Sequence, residues 1–84
     1  MVLFRAEIRV KLKNGVADPE GQNTKKALEL LGFKGIKEMS SVKTFELILD
    51  SKNEKVAYDE IGEMCRRLLA NPVIHNYAMF IKKV

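Results

Sequence analysis

Polar and apolar residues alternate from Phe4 to Leu12: Phe4, Ala6, Ile8, Val10 and Leu12 fall on one side, Arg5, Glu7, Arg9 and Lys11 on the other. A period of two predicts a strand with one face on a core and the other in water. The pattern breaks at Lys13-Asn14-Gly15-Val16-Ala17, which reads as a loop. Asp18 then suits a helix N-cap, and Pro19 suits the first helical position, where its missing N–H costs nothing. Thr24, Ala27, Leu28 and Leu31 follow at helical spacing, and Gly32 is a natural stop.

Ile36 to Met39 reads as a short second strand. A third follows up to Asp50, with Phe45, Leu47 and Leu49 alternating with Thr44, Glu46 and Ile48. Ser51-Lys52-Asn53-Glu54 fits a capping box, Ser51 at the N-cap and Glu54 at N3. Ala57, Ile61, Met64, Cys65 and Leu68 keep helical spacing toward Asn71-Pro72. Pro72 has no N–H to donate and biases Asn71 away from the helical region, so this helix stops near Ala70. The last strand, His75 to Val84, is apolar on both faces, with Tyr77, Met79 and Ile81 opposed to Ala78, Phe80 and Val84.

The resulting order is β-α-β-β-α-β in a single domain spanning residues 1–84. Right-handed crossovers make this an α+β, ferredoxin-like sandwich, a four-stranded antiparallel sheet with two helices on one face. The uncovered face of the last strand is then apolar, and a chain this short rarely leaves such a surface in water. The expectation is a homo-oligomer packed sheet against sheet, with Tyr77, Ala78, Met79, Phe80 and Ile81 supplying the self-association face.

Composition narrows the function classes. Hydrophobic residues at 46% and charged residues at 31% describe a globular domain and not a disordered tail. No apolar run approaches the roughly 20 residues of a membrane span. Arg5 and Glu7 interrupt the start before a signal-peptide core can form. One cysteine allows no internal disulfide, which favours a reducing cytoplasm. The net charge of +4 is interspersed, with no basic block longer than two residues, a pattern of solubility more than of nucleic-acid binding. RNA-recognition modules share this strand order, but they stack bases on open-face aromatics, and none stands on the outward sets of the first or third strand.

Catalytic groups are scarce. Cys65 lies on the apolar side of its helix and reads as a core residue. His75, the single histidine, reads as a polar residue at a strand start. Neither a zinc-ligand set nor a P-loop is present. The helix start at Asp18-Pro19-Glu20-Gly21 invites a phosphate-site reading, but Asp18 and Glu20 already occupy the positive end of the dipole. Gly21 is odd in a first turn, where glycine costs about 1 kcal/mol against alanine. Either a close neighbour requires it or the corner is a partner surface.

The run Cys65-Arg66-Arg67-Leu68-Leu69-Ala70-Asn71-Pro72-Val73-Ile74, with Asp18-Pro19-Glu20-Gly21 upstream, closely resembles the PurS family. These are small subunits of phosphoribosylformylglycinamidine (FGAM) synthase in purine biosynthesis. The likeness covers the whole chain in length and element order. One departure is visible: the family pattern Arg-x-Gly-Lys is replaced by Ser40-Ser41-Val42-Lys43, so a turn or contact made by that arginine and glycine is not implied here.

The resemblance implies a homodimer or dimer of dimers, bridging a glutaminase subunit and a large synthetase subunit and helping ammonia pass between them. ATP and Mg would be used by the large subunit, with no cofactor, metal or catalytic residue in this chain. The partner interface is expected at two corners, Asp18, Pro19, Glu20 and Gly21 at one and Asn71 and Pro72 at the other. The alternative is a free-standing ligand-sensing domain of ferredoxin-like topology.

Overall fold

The alternation at the start of the chain becomes strand β1, Val2–Leu12, in a computed structural model that describes all residues, Met1–Val84. Helix α1 follows at Pro19–Leu30, strand β2 at Val42–Ser51, helix α2 at Glu54–Met64 and strand β3 at His75–Lys83. The sheet has three strands in the order β2-β1-β3, both neighbours antiparallel to β1. Phe4, Ala6, Ile8 and Val10 of the central strand are all buried, as their alternation requires.

The expected fourth strand is absent. Residues 36–39 form no ladder, and the four-stranded sheet is therefore corrected to three. Ile36 and Met39, its half-buried apolar residues, are three apart. On an extended chain that spacing puts them on opposite faces, so no single face can be buried. The backbone here takes other partners, with the Ser41 N–H donating to Asp18 Oδ2 at 2.8 Å.

Cap positions follow local chemistry. Asp18 caps α1, its carboxylate accepting from the Gly21 N–H at 3.0 Å, with Pro19 at the first position as read from sequence. At the other end, Gly32 takes φ +99°. Its N–H reaches Glu29 O and the Phe33 N–H reaches Leu28 O, each at 3.1 Å, the paired bonds of a Schellman stop. The capping box at Ser51 does not form. Ser51 ends β2 and is buried, and Asn53 is the cap, accepting from the Val56 N–H at 2.9 Å. Helix α2 continues as a π-helical turn, Cys65–Leu69, closed by Ala70 N–H to Cys65 O at 2.9 Å. Ala70 itself is extended, which places the helix stop where Pro72 demanded it.

Only α2 covers the sheet. Its Ala57, Ile61 and Gly62 are buried, as is Cys65; Ile61 and Cys65 join Ala6, Ile8 and Val10 of β1 in one cluster, flanked by half-buried Phe45, Leu47, Leu49, Tyr77, Met79 and Ile81. In α1 Gly21 alone is buried, while Leu30 and Leu31 are 89% and 74% exposed. The chain is correspondingly long, 52 × 27 × 15 Å, with a radius of gyration of 16.5 Å. A compact chain of this size would have a radius of about 12 Å.

The sheet's outer face is mostly polar, unlike the greasy surface the sequence pattern implied. Register aligns Arg5, Glu7 and Arg9 of β1 with Lys82, Phe80 and Ala78 of β3, and with Ile48, Glu46 and Thr44 of β2. Phe80 is half exposed and lies beneath the Arg9 guanidinium at 4.9 Å, a cation–π contact. Tyr77, Met79 and Ile81 point to the α2 side, whereas Ala78 and Phe80 point outward. The five residues assigned to self-association thus divide between two faces.

Candidate functional site

Both corners singled out in the sequence lie at one end of the sheet, where β1 leaves and β2 and β3 enter. Leu12 pairs with His75, and Lys11 pairs with Val42. The loop after β1 touches the Asn-Pro corner directly: the Lys13 N–H donates to Ile74 O at 2.8 Å, and Lys13 Nζ donates to Pro72 O at 2.7 Å. On its way into α1 the same loop reaches Asp18.

Asp18 is the hub of the first corner. Besides Gly21, it accepts from the Ser41 N–H at 2.8 Å and the Ser41 hydroxyl at 2.7 Å. These donors stabilise the charged form, and the Ser41 N–H acts most strongly, so the carboxyl sits below its ordinary value of 3.8. Gly21 is explained by the same geometry. A Cβ there would fall 2.6 Å from Asp18 Oδ2 and 3.0 Å from the Met39 carbonyl oxygen. Close approach of the 39–41 segment to the helix start therefore requires glycine. Pro19 and Glu20 remain exposed at the corner.

The second corner is locked by Asn71 and His75. The Asn71 side chain accepts from the Val73 N–H at 3.0 Å, and its carbonyl accepts from the N–H groups of Ile74 and His75 at 3.0 and 2.8 Å. In return the Asn71 N–H donates to His75 Nδ1 at 2.9 Å. Val73, at 79% exposure, and Pro72 form the tip.

Two concavities lie at this end of the sheet. The larger, about 590 Å³, is lined by residues 11–19, by Gln22 and Lys25 of α1 and by residues 37–41. The smaller, about 410 Å³, brings Glu20, Ser41, Lys43 and His75 to one wall, with Val10 and Leu69 at its base. Chemistry is sparse along both. Cys65 is fully buried, and burial pushes its thiol above the ordinary range. No three side chains of His, Cys, Asp or Glu gather to hold a metal ion. What this end offers is shape, charge and a rigid frame.

Sequence reasoning found the two corners but missed what joins them. Lys13 read only as loop, yet it ties that loop to Pro72. Ser41 sat in the stretch that departs from the family pattern, yet it supplies two of the three donors on Asp18. Neither link leaves a local signal, because each partner lies far away in the chain.

The family model described as PurS, phosphoribosylformylglycinamidine (FGAM) synthase, matches residues 5–83. The PurS subunit of Archaeoglobus fulgidus is 51% identical over 74 residues, covering 88% of this chain and 92% of that protein. That of Methanocaldococcus jannaschii is 42% identical over 82 residues, covering 98% and 99%. The crystal structure of M. jannaschii PurS superposes with a TM-score of 0.85 at 41% identity, over 96% of this chain and 98% of that one. A chain in the structure of PurLQS from Thermotoga maritima gives 0.86 at 27% identity, with both chains fully covered. The three-stranded sheet, its two helices and the corners built on Asp18 and Asn71 therefore belong to a member of the PurS family, the PurS subunits of FGAM synthase in purine biosynthesis.

Proposed function

We propose that this chain is the non-catalytic small subunit of FGAM synthase. In this reading it bridges a glutaminase subunit and a large synthetase subunit, and it helps ammonia travel between them. The synthetase would use ATP and Mg to activate the amide of formylglycinamide ribonucleotide, which ammonia then attacks to give the amidine. The observation carrying the reading is full-length similarity to a chain of the PurLQS structure. A free-standing ligand-sensing domain finds no such support.

The physical logic is one of placement. Ammonia is a small neutral nucleophile that water would protonate and dilute. A subunit that holds two active sites in register and excludes solvent raises its effective concentration without touching it chemically. The docking end in this reading carries Asp18, Pro19, Glu20, Gly21, Asn71 and Pro72. The side chains at hand fit such a role, since Cys65 is buried and the one histidine is committed to the Asn71 backbone.

Self-association belongs to the same proposal, as a homodimer or a dimer of dimers. Helix α1 exposes Leu30 and Leu31, with Phe33 beside them, while Phe45, Leu47 and Leu49 on the inward sheet face are only half covered. Each of these surfaces lacks what the other supplies, so a second copy would cover both. Tyr77, Met79 and Ile81 would complete that face, with Ala78 and Phe80 available on the outer one. The cytoplasm is the proposed compartment; no helix is long and apolar enough to cross a membrane. The test is glutamine-dependent amidination by the two large subunits with and without this chain. Coupled turnover should depend on it, and equal rates in its absence would overturn the proposal.

A further inference from the structure

The larger concavity gathers cations that the sequence keeps apart. Lys11 and Lys13 come from the end of β1 and its loop, Lys25 from α1 and Lys37 from the segment before β2. None of the four is in an ion pair; every ion pair in the molecule is elsewhere, at Arg9, Lys55, Arg66 and Arg67. Two are held by backbone carbonyls, Lys13 Nζ on Pro72 O at 2.7 Å and Lys25 Nζ on Lys37 O at 3.4 Å. An ammonium has three donors, so each keeps capacity for another acceptor. The acids on the wall are Asp18 and Glu38, and Asp18 is turned to the three donors of Gly21 and Ser41.

We infer that this lysine groove seats a carboxylate-rich surface segment of one of the two large partner subunits, an inference that rests on the docking role proposed above. Four ammonium groups against two carboxylates leave the groove net positive, which favours an anionic occupant and speeds its encounter. The layout favours an extended segment over a compact phosphate. Lys25 lies seven residues beyond Asp18, about 10 Å along the helix axis, while Lys11 is still on the sheet. At the helix N-terminus, where a phosphate would sit, Asp18 occupies the site and takes the Gly21 N–H. Carboxylates spaced along an extended chain match charges distributed in this way.

The test measures binding of the native oligomer to each purified large subunit across a range of ionic strength. Lys11 and Lys37 have exposed side chains, so K11E/K37E should fold normally, and K11Q/K37Q provides a milder version. The expected result is at least about tenfold weaker binding at low salt for K11E/K37E, a smaller loss for K11Q/K37Q, and convergence with wild type at high salt. Lys55, paired with Asp59 on α2, supplies the control K55E, which should bind as wild type. Unchanged binding by K11E/K37E alongside weakened binding by N71A/P72A would overturn the inference and leave corner docking standing. Unchanged binding by both would overturn the docking role as well. Titration with inorganic triphosphate separates the remaining case. Lysine-dependent triphosphate binding, with partner affinity indifferent to the lysines, would make the groove a small-anion site and overturn the inference.

Discussion

Helices α1 and α2 have comparable apolar spacing and side-chain caps, and each follows a strand, yet they end in opposite environments. Helix α2 presses Ala57, Ile61, Gly62 and Cys65 into the sheet. Helix α1 buries only Gly21, at its first turn, and leaves Leu30 and Leu31 in solvent. Ile61 and Cys65 carry that packing, joining Ala6, Ile8 and Val10 of β1 in one buried cluster. Apolar periodicity states that a helix has a face to bury, but not whether the surface that buries it belongs to the same chain.

The sharpest way to break this contrast is to truncate equivalent positions. Ile61 is fully buried, so Ile61→Ala should cost about 2–5 kcal/mol in urea unfolding. Leu31→Ala should change the folding stability of a single copy by no more than about 0.5 kcal/mol, because its side chain meets water. Equal losses at the two positions would mean that α1 packs on its own sheet in solution.

A second comparison asks what covers α1. Leu31→Asp should leave a single copy folded but weaken self-association, by about 1.5–3 kcal/mol if the leucine is buried between copies. Sedimentation at micromolar concentration would show the shift to lighter species. A charge at Phe80 tests the outer sheet face in the same assay. Loss of assembly at Phe80 but not at Leu31 would move the interface from the helix to the sheet.

The two helical glycines sharpen the comparison further. At Gly21 an added Cβ meets the Met39 carbonyl oxygen at 3.0 Å and Asp18 Oδ2 at 2.6 Å, and a backbone atom cannot swing aside. Gly21→Ala should cost about 1–3 kcal/mol by overpacking. At Gly62 the nearest atom is an Arg66 guanidinium nitrogen at 3.2 Å, the far end of a flexible side chain. Gly62→Ala should therefore be neutral or stabilising by up to about 1 kcal/mol, through helix propensity. Thermal unfolding of both variants checks the pair. Equal behaviour would mean that the 39–41 segment does not hold its place against α1.

These residues also show what could be read from the chain alone. The Phe4–Leu12 alternation, the Asp18-Pro19 start and the Asn71-Pro72 stop each encode their outcome within a few neighbours, and all three appear in the structure. The strand at 36–39 failed because its apolar residues have the wrong period, and because Asp18 takes the Ser41 N–H next to it. The cap of α2 shifted from Ser51 to Asn53 because β2 runs one residue further than its turn signals implied and takes Ser51 into the strand. Both corners were marked, but the lysine groove beside the first was not, since interspersed charge in a sequence carries no information about which residues meet in space.

The smallest effect concerns Asp18, whose side chain ties the start of α1 to the segment entering β2. Its carboxyl is held below 3.8 by the Ser41 N–H, then by the Gly21 N–H and the Ser41 hydroxyl, so the folded state prefers the ionised form. A lowered native value contributes stability in full above the ordinary carboxylate range, and that contribution is lost as pH falls through the native value. Asp18→Asn abolishes the titration. The stability gap between wild type and variant should be constant well above the ordinary value of 3.8 and should narrow as pH falls below it. Glu63, lowered chiefly by its hydrogen bond from Arg66, fades with the same sign, but it is present in both proteins and cancels in the difference. Urea midpoints measured across that range decide the matter. A gap that persisted undiminished at the acid end would mean that ionisation contributes nothing at this corner, and that Ser41 and Gly21 bind Asp18 as well when it is neutral.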